Sequence, residues 1–188
     1  MPSAAHRPDQ DTYYMQIAIA VRERADCTGQ KVGAVIVFKN RIISTGYNGT
    51  PAGMKNCSDG GCHRCANRGK QYQSGTAYDL CICVHAEQNA LLSAARFGIS
   101  VEGATLYTTT QPCFGCLKEM LQAGIHTVWF MHPWNANRTD EQEQQYKALQ
   151  NKFPGRVLHL DGPDPRAAWA KAATTGATVS DEHGMQTP

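Results

Sequence analysis

Residues 85–131 read HAEQNALLSAARFGISVEGATLYTTTQPCFGCLKEMLQAGIHTVWFM and alternate between helical and extended patterns. The spacing of apolar residues predicts a helix from about His85 to Phe97, then a strand at Ala104–Thr109. A second helix starts near Pro112, and a second strand is predicted at Thr127–Met131. Because strands that alternate with helices build layered sheets, the stretch predicts a three-layer α/β/α sandwich.

The segments on either side extend this architecture. Asp11 is predicted to cap a helix that runs to about Ala25. The remaining predicted elements are a hairpin of Val32–Lys39 and Arg41–Tyr47, a helix at Thr139–Lys152, a strand at Arg156–Leu160 and a short helix at Arg166–Ala173. We therefore expect a flexible N-terminus (residues 1–10), one folded domain (residues 11–162), and a short helix with a flexible tail (residues 163–188).

Composition excludes several classes of protein. With 188 residues, 41% of them hydrophobic, the chain can bury the core of one domain. The 18 basic residues nearly balance the 16 acidic ones, so no broad basic surface for nucleic acid is expected. No apolar run approaches the ~20 residues of a membrane-spanning helix, and the N-terminus has no apolar stretch like that of a signal peptide. These features predict a cytoplasmic protein without a membrane partner.

Eight cysteines are the most informative feature of the composition. Without a secretion signal, they are expected to stay reduced and to serve as metal ligands, with disulfides as the alternative. Six of them form the pairs Cys62-x-x-Cys65, Cys81-x-Cys83 and Cys113-x-x-Cys116. A loop of ~30 residues, from Asn48 to about Asp79, is too long to stay ordered without help in a compact domain. Thiolate–metal bonds are the available means of ordering it.

Two short motifs carry the predicted chemistry. Cys113 and Cys116 lie one helical turn apart, with Pro112 expected at the first helical position, so their sulfurs can hold one ion. The positive end of that helix favours the thiolates that zinc requires. His85 supplies a third ligand and leaves the fourth position open, as in catalytic zinc sites, where bound water has a pKa near ~7. Glu87 can face the same cavity without binding the metal and can transfer protons.

Together the motifs resemble the H-x-E and P-C-x-x-C signature of zinc-dependent nucleobase deaminases. Alone, H-A-E would be an ordinary helix start, and C-x-x-C would be a structural zinc knuckle or a redox pair. The combined layout suits addition of hydroxide to an amidine carbon, followed by loss of ammonia.

A further stretch narrows the resemblance. Residues 42–51, IISTGYNGTP, together with H-A-E and P-C-F-G-C, resemble the deoxycytidylate (dCMP) deaminase family over roughly residues 11–160. The resemblance implies a cytidine-deaminase-like fold with a central mixed five-stranded sheet. It also implies hydrolysis of dCMP to dUMP and ammonia, which supplies thymidylate synthesis. Members of this family are commonly homohexamers that dCTP activates and dTTP inhibits, with Mg²⁺ as a candidate companion of the dCTP effector.

The same resemblance assigns roles to individual residues. It places Asn48, Ala86 and Trp134 at the substrate and Gly49 and Arg96 at the effector site. Trp134 stands where family members often have a tyrosine. A tryptophan can still pack on the substrate, but it lacks the phenol of a tyrosine. Asn48 could instead be a turn residue, and Arg96 a solvated helix residue.

The resemblance also implies a structural zinc. Cys27, Cys57 and Cys83 match positions where related enzymes hold such an ion. The fourth ligand stays open among Cys62, Cys65, Cys81 and His63. Six cysteines could even hold two ions, and free buried cysteines are the alternative.

Other activities remain open at this point. A deaminase of 5-modified dCMP or of dCTP fits the same motifs. A tRNA adenosine or free-base deaminase is less favoured, because the C-terminal residues 181–188 lack the basic stretch expected for RNA contact. A non-catalytic zinc-binding module is disfavoured, because a structural zinc has no use for an unliganded carboxylate such as Glu87 beside it. No stable nucleic-acid partner is expected.

Overall fold

The computed structural model describes residues 7–73, 76–134 and 138–171. Within these ranges it contains five strands and six α-helices, with one short 3₁₀ helix at Tyr78–Leu80. The strands are β1 Gly33–Phe38, β2 Arg41–Tyr47, β3 Thr105–Thr110, β4 Thr127–His132 and β5 Val157–His159. The helices are α1 Gln10–Arg22, α2 His63–Ala66, α3 Ala86–Arg96, α4 Phe114–Gln122, α5 Asp140–Gln150 and α6 Ala167–Ala170. The frayed tail and most of the loose N-terminus predicted from the sequence lie outside the described residues.

The strands form one mixed sheet in the order β2-β1-β3-β4-β5. β1 pairs antiparallel with β2 and β3, whereas β3, β4 and β5 run parallel. Lys39 and Asn40, between β1 and β2, both have positive φ angles of 48° and 60°, the requirement of a tight type I′ hairpin turn. The mixed five-stranded sheet implied by the family resemblance is therefore confirmed.

Alternate residues of the strands face two different helical layers. Ala34, Ile36 and Leu106 point to a core shared with α3, α4 and α5. Val35 and Tyr107 point to the opposite face, where they pack against α1. This alternation follows from the two-residue period of a strand and confirms the three-layer arrangement.

Two glycines let helices approach the sheet closely. A Cβ on Gly33 would lie 2.3 Å from the Ala18 carbonyl oxygen of α1. On the other face, a Cβ on Gly46 would lie 2.2 Å from the carbonyl oxygen of Ala86 in α3. No other residue fits these positions without moving the helix. Gly46 thus fixes the depth at which the first turn of α3 sits on the sheet.

The predicted N-cap of the first helix was wrong. Asp9, not Asp11, caps α1, because the Asp9 Oδ1 accepts a hydrogen bond of 2.8 Å from the Thr12 N–H. The Asp11 carboxylate instead accepts a 2.6 Å hydrogen bond from the Tyr107 hydroxyl, a contact that depends on tertiary packing. The helix also ends at Arg22, earlier than predicted.

The predicted helix position of Pro112 was also wrong. α4 begins at Phe114 and Cys113 is its N-cap, so Pro112 lies outside the helix. The Cys113 sulfur takes the capping position by accepting the N–H of Cys116 at 3.5 Å. The two sulfurs still share the first turn, which is what the metal-site prediction required.

The segment after Gly162 packs against α1. Arg22 is fully buried, and its two terminal nitrogens each donate a 2.7 Å hydrogen bond to the Asp164 carboxylate. The Lys31 N–H donates to the Ala170 carbonyl oxygen at 2.8 Å. The domain boundaries drawn from the sequence remain predictions.

None of the helices in the described part of the chain has the length and hydropathy needed to span a bilayer.

Candidate active site and cysteine cluster

The starts of α3 and α4 bring three potential metal ligands together. His85 is the N-cap of α3, and its Nδ1 lies 3.4 Å from the Cys113 sulfur and 3.3 Å from the Cys116 sulfur. All three ligand atoms lie within 4.8 Å of one another. One imidazole nitrogen and two sulfurs form a donor set that zinc accepts, and three protein ligands are the number found in catalytic zinc sites. The residues therefore fit the ion that the sequence predicts.

The electrostatics of this group favour a cation-binding thiolate. The hydrogen bond with the Cys116 thiol lowers the pKa of Cys113 to about 4, against the opposing effect of burial. The same hydrogen bond and burial raise the pKa of Cys116. Burial alone would lower the pKa of His85, but its hydrogen bond with Cys113 and the thiolate charge outweigh burial and raise it to about 9. The negative charge of the group thus resides first on Cys113.

Glu87 lies beside the three potential metal ligands. Its side chain is buried, with the residue 4% exposed. The Thr108 hydroxyl donates a 3.2 Å hydrogen bond to its Oε1, and its Oε2 lies 3.7 Å from the Cys116 sulfur. Burial raises the pKa of the Glu87 carboxyl, which moves it toward the neutral range where a general acid–base works.

Side-chain hydrogen bonds fix the positions of the starts of α3 and α4. The Gln88 side chain accepts the His85 N–H at 2.9 Å and donates to Glu119 of α4, also at 2.9 Å. The Tyr146 hydroxyl of α5 donates a 2.6 Å hydrogen bond to the Pro112 carbonyl oxygen. These contacts position the three ligand residues and do not involve the ligand atoms themselves.

A cavity of about 100 Å³ opens in front of Glu87 and His85. Val32, Asn48, Ala86 and Trp134 contribute to its walls. The Trp134 N–H donates to the Gln111 Oε1 at 3.1 Å, and the Tyr78 ring meets Trp134 edge-on, with 6.3 Å between centroids. The structure therefore brings three predicted substrate residues, Asn48, Ala86 and Trp134, to the same cavity as the metal group.

Asn48 also has a clear structural task. Its Oδ1 accepts the Val32 N–H at 2.8 Å, and its Nδ2 donates to the Gln30 carbonyl oxygen at 2.7 Å. The carboxamide thus satisfies backbone groups just before β1 while keeping one further donor and one further acceptor site. Its predicted contact with substrate stays a prediction.

The two predicted effector residues lie apart from this cavity. Gly49 forms an isolated antiparallel bridge with Val84, just before His85. A Cβ on Gly49 would lie 2.1 Å from the Asp26 Oδ1, which explains the glycine on packing grounds. Arg96 is exposed in the last turn of α3. The effector role of both residues stays a prediction.

The six remaining cysteines converge in a separate group, which we name the cysteine cluster: Cys27, Cys57, Cys62, Cys65, Cys81 and Cys83. All six thiols are free, as the metal-ligand prediction requires. Of the four candidates for the fourth structural ligand, Cys65 lies with Cys27, Cys57 and Cys83. His63 is not part of any metal-ligand group among the described residues, and its ring faces Tyr72.

Sequence reasoning missed three partners of the predicted site residues. Thr108, Tyr78 and Gln88 were not singled out, although each contacts a predicted site residue. Thr108 had a usable signal, because it lies near the carboxyl end of a predicted strand that leads into P-C-x-x-C. Sites in parallel α/β sheets gather at that end.

Comparison with known proteins gives consistent results. The family model "Cytidine and deoxycytidylate deaminase zinc-binding region" matches residues 8–132. A deoxycytidylate deaminase of Mycobacterium phage D29 is 44% identical over 126 residues, which cover 65% of this chain and 94% of that protein. The deoxycytidylate deaminase of Saccharomyces cerevisiae is 41% identical over 145 residues, 77% of this chain but 43% of that protein. The chain thus spans less than half the length of that yeast relative.

The fold also has a solved counterpart. The crystal structure of the cyanophage S-TIM5 dCMP deaminase, in complex with dCMP and dUMP, superposes with a TM-score of 0.62 at 27% identity. The match covers 82% of this chain and 99% of that one. The family model, the curated relatives and the solved structure therefore all point to deaminases that act on cytosine nucleosides or nucleotides.

Proposed function

The chain belongs to the cytidine and deoxycytidylate deaminase family, and on that premise we propose that it converts dCMP and water into dUMP and ammonia. One observation carries the proposal: a buried carboxylate, Glu87, lies beside a group of one histidine and two cysteines at the head of a small cavity. The phage D29 deaminase, matched over nearly its whole length, supports dCMP as the substrate.

His85, Cys113 and Cys116 would hold the catalytic zinc. When bound there, zinc supplies Lewis acidity that makes water nucleophilic near neutral pH. The low pKa of Cys113 and the backbone N–H of Cys116 that supports its sulfur prepare the site for a cation. The contacts of Gln88 and Tyr146 keep the three ligands aligned.

Glu87 would carry the protons. It accepts a proton from the attacking water and delivers it to N3 of the cytosine ring. It then moves the proton of the new hydroxyl to the departing amine, so that ammonia leaves and the C4 carbonyl of uracil forms. Burial raises the pKa of Glu87, which lets the carboxyl hold a proton between the two transfers. The Thr108 hydrogen bond orients the carboxylate throughout.

Trp134, Asn48 and Ala86 would receive the nucleotide. Trp134 at the cavity wall offers an apolar ring for the base. Gln111 accepts the Trp134 backbone N–H, and the Tyr78 ring packs edge-on against the Trp134 ring. Asn48 retains hydrogen-bonding capacity for the sugar. Replacing Trp134 by alanine should therefore raise KM for dCMP more than it lowers kcat.

Regulation and assembly follow the family resemblance. We propose a cytoplasmic homohexamer that dCTP, with Mg²⁺, activates and dTTP inhibits, with Gly49 and Arg96 near the effector. Exposed apolar side chains on and after α3, Leu92 (60% exposed) and Phe97 (72% exposed), support an interface between subunits. The cysteine cluster supports at least one structural zinc.

A substrate panel tests the proposal. Release of ammonia and the ultraviolet change from cytosine to uracil are measured on dCMP, CMP, dCTP, deoxycytidine and 5-methyl-dCMP, each alone, with dCTP and magnesium, and with dTTP. Fastest turnover of dCMP supports the assignment, and its response to dCTP and dTTP tests the regulation. Preference for dCTP or 5-methyl-dCMP would move the substrate to the modified-nucleotide alternative. Turnover of none of the five would contradict the proposal and direct the assay to RNA and free bases.

A further inference from the structure

The cysteine cluster contains two overlapping groups of four thiols. One group consists of Cys27, Cys57, Cys65 and Cys83, and the other consists of Cys62, Cys65, Cys81 and Cys83. In each group the sulfurs lie within 4.8 Å of one another. Cys65 and Cys83 belong to both groups. From this arrangement we propose that the cluster binds two zinc ions that share the thiolates of Cys65 and Cys83.

The sulfur–sulfur distances match two tetrahedral sites. Four sulfurs placed ~2.3 Å from a zinc ion lie about 3.8 Å from one another. In the first group, Cys27 lies 3.9 Å from Cys65. In the second group, Cys81 lies 3.7 Å from Cys65 and 3.9 Å from Cys62. The two shared sulfurs, of Cys65 and Cys83, are 4.0 Å apart, so they can form the common edge of both sites.

Two ions account for all six cysteines, whereas one ion does not. A single zinc in either group would leave two thiols of the cluster without a ligand role. Cys62, which the first group would leave over, is fully buried. In the two-ion arrangement, Cys62-x-x-Cys65 and Cys81-x-Cys83 each supply one unshared and one shared sulfur.

The surroundings suit a cluster with net negative charge. Six thiolates outweigh two divalent zinc ions, so neighbouring donors and cations should stabilise the sulfurs. The Thr28 N–H donates to the Cys57 sulfur at 3.4 Å. Arg64 and Arg68 line the same cavity as Cys27 and Cys65. Such contacts are typical of the outer shell of a thiolate metal site.

The location gives the cluster a task in the active site. Cys83 lies two residues before His85, and Val84 between them pairs with Gly49 across the long loop. Ions held here would order the loop from residue 48 to residue 83 and fix the chain that delivers His85. Cys65 and Cys83 would therefore be positioning residues and not catalytic ones.

Metal content of the purified protein gives the first test. Zinc and iron are measured per chain by mass spectrometry on protein expressed with zinc. We expect three zinc ions, one at His85 and two in the cluster. Two zinc ions per chain, or iron in the cluster, would overturn the inference. The readout does not involve deamination, so the inference can fail while the proposed function stands, and the reverse.

Paired variants test the sharing of ligands. Cys62→Ser with Cys81→Ser leaves the first group of four intact, and Cys27→Ser with Cys57→Ser leaves the second. Each double variant should lose one zinc ion and keep two. If a single ion served the cluster, one of the two double variants would keep the metal content of the unsubstituted protein. Cys116→Ser is the matched control, because it should affect only the catalytic ion.

A spectroscopic test covers the case in which the variants do not fold. The unsubstituted protein is prepared with ¹¹³Cd in place of zinc, and its cadmium NMR spectrum is recorded. Shared thiolates should give two all-sulfur cadmium resonances that split each other through the bridging sulfurs. A single all-sulfur resonance, or two without mutual coupling, would overturn the inference.

Discussion

Thr108→Val removes a hydroxyl that donates to the buried Glu87 carboxylate. The Thr108 Oγ1 lies 3.2 Å from the Glu87 Oε1. A hydrogen bond to the charged form lowers the pKa of Glu87, so deleting it must raise that pKa further. Since Glu87 must be ionised to accept the first proton, the acid limb of the kcat/KM profile should move to higher pH.

The size of the shift follows from the strength of the bond. Hydrogen bonds to charged groups contribute about 1.5–3 kcal/mol, and one pKa unit corresponds to about 1.36 kcal/mol. The Thr108 bond is longer than the ~2.8 Å usual between two oxygens, which favours the lower end of that range. We expect a shift of about one pH unit, with activity about tenfold lower below the limb and nearly unchanged above it.

The assay is the pH dependence of dCMP deamination, with zinc content measured on the same samples. Thr109→Val is the matched control. The Thr109 hydroxyl is also buried and accepts the Gly33 N–H at 3.2 Å, but it does not contact Glu87. Thr109→Val should lower the free energy of unfolding without moving the acid limb of the kcat/KM profile. An unmoved limb in Thr108→Val, with zinc retained, would refute the reasoning.

Two further predictions concern stability. Asp164→Asn should destabilise the fold by about 3–5 kcal/mol in chemical denaturation at pH 7, because it leaves Arg22 buried without its counter-charge. The Arg22 contact holds the pKa of Asp164 below its usual range, so the stability gain is present above pH ~4, and the difference between the two proteins should shrink below it. If the difference were constant down to pH 3, the Arg22 pairing would not be its source. Gly46→Ala should lower the melting temperature and the activity together, because its Cβ would meet the Ala86 carbonyl oxygen at 2.2 Å. Gly162→Ala is the control, since its Cβ would make only an ordinary 3.5 Å contact with the Met131 side chain, and equal melting temperatures for the two variants would contradict the clash.

The sequence predicted the fold where its signal was local. Stretches rich in β-branched and apolar residues, bounded by turn residues, placed every strand of the sheet to within one residue. The cap of α1 was wrong for the opposite reason. Asp9 and Asp11 are both acceptable caps by local pattern, and the choice between them depends on Tyr107, which lies far away in the chain.

The site shows the same division. His85, Glu87, Cys113 and Cys116 were predicted because each motif occupies one helical turn, so its geometry follows from sequence spacing. The Glu87–Thr108 and Gln88–Glu119 contacts depend on how β3 and α4 pack against α3, which spacing does not show.

The cysteine loop was predicted only in outline. Its length and composition predicted a structural metal, which stays a prediction, but spacing did not predict which thiols converge. The choice of Cys65 over His63 depends on the path of a loop with little regular structure.

We propose that Glu87 transfers protons beside a zinc ion held by His85 and two cysteines. Glu87→Gln keeps the shape and the burial of the side chain and removes its ability to accept a proton. Turnover of dCMP and zinc content should be measured together on this variant and on the unsubstituted protein. We expect unchanged zinc content and a loss of kcat of about 10²–10⁴-fold. Turnover of dCMP near the unsubstituted rate, with zinc retained, would contradict it.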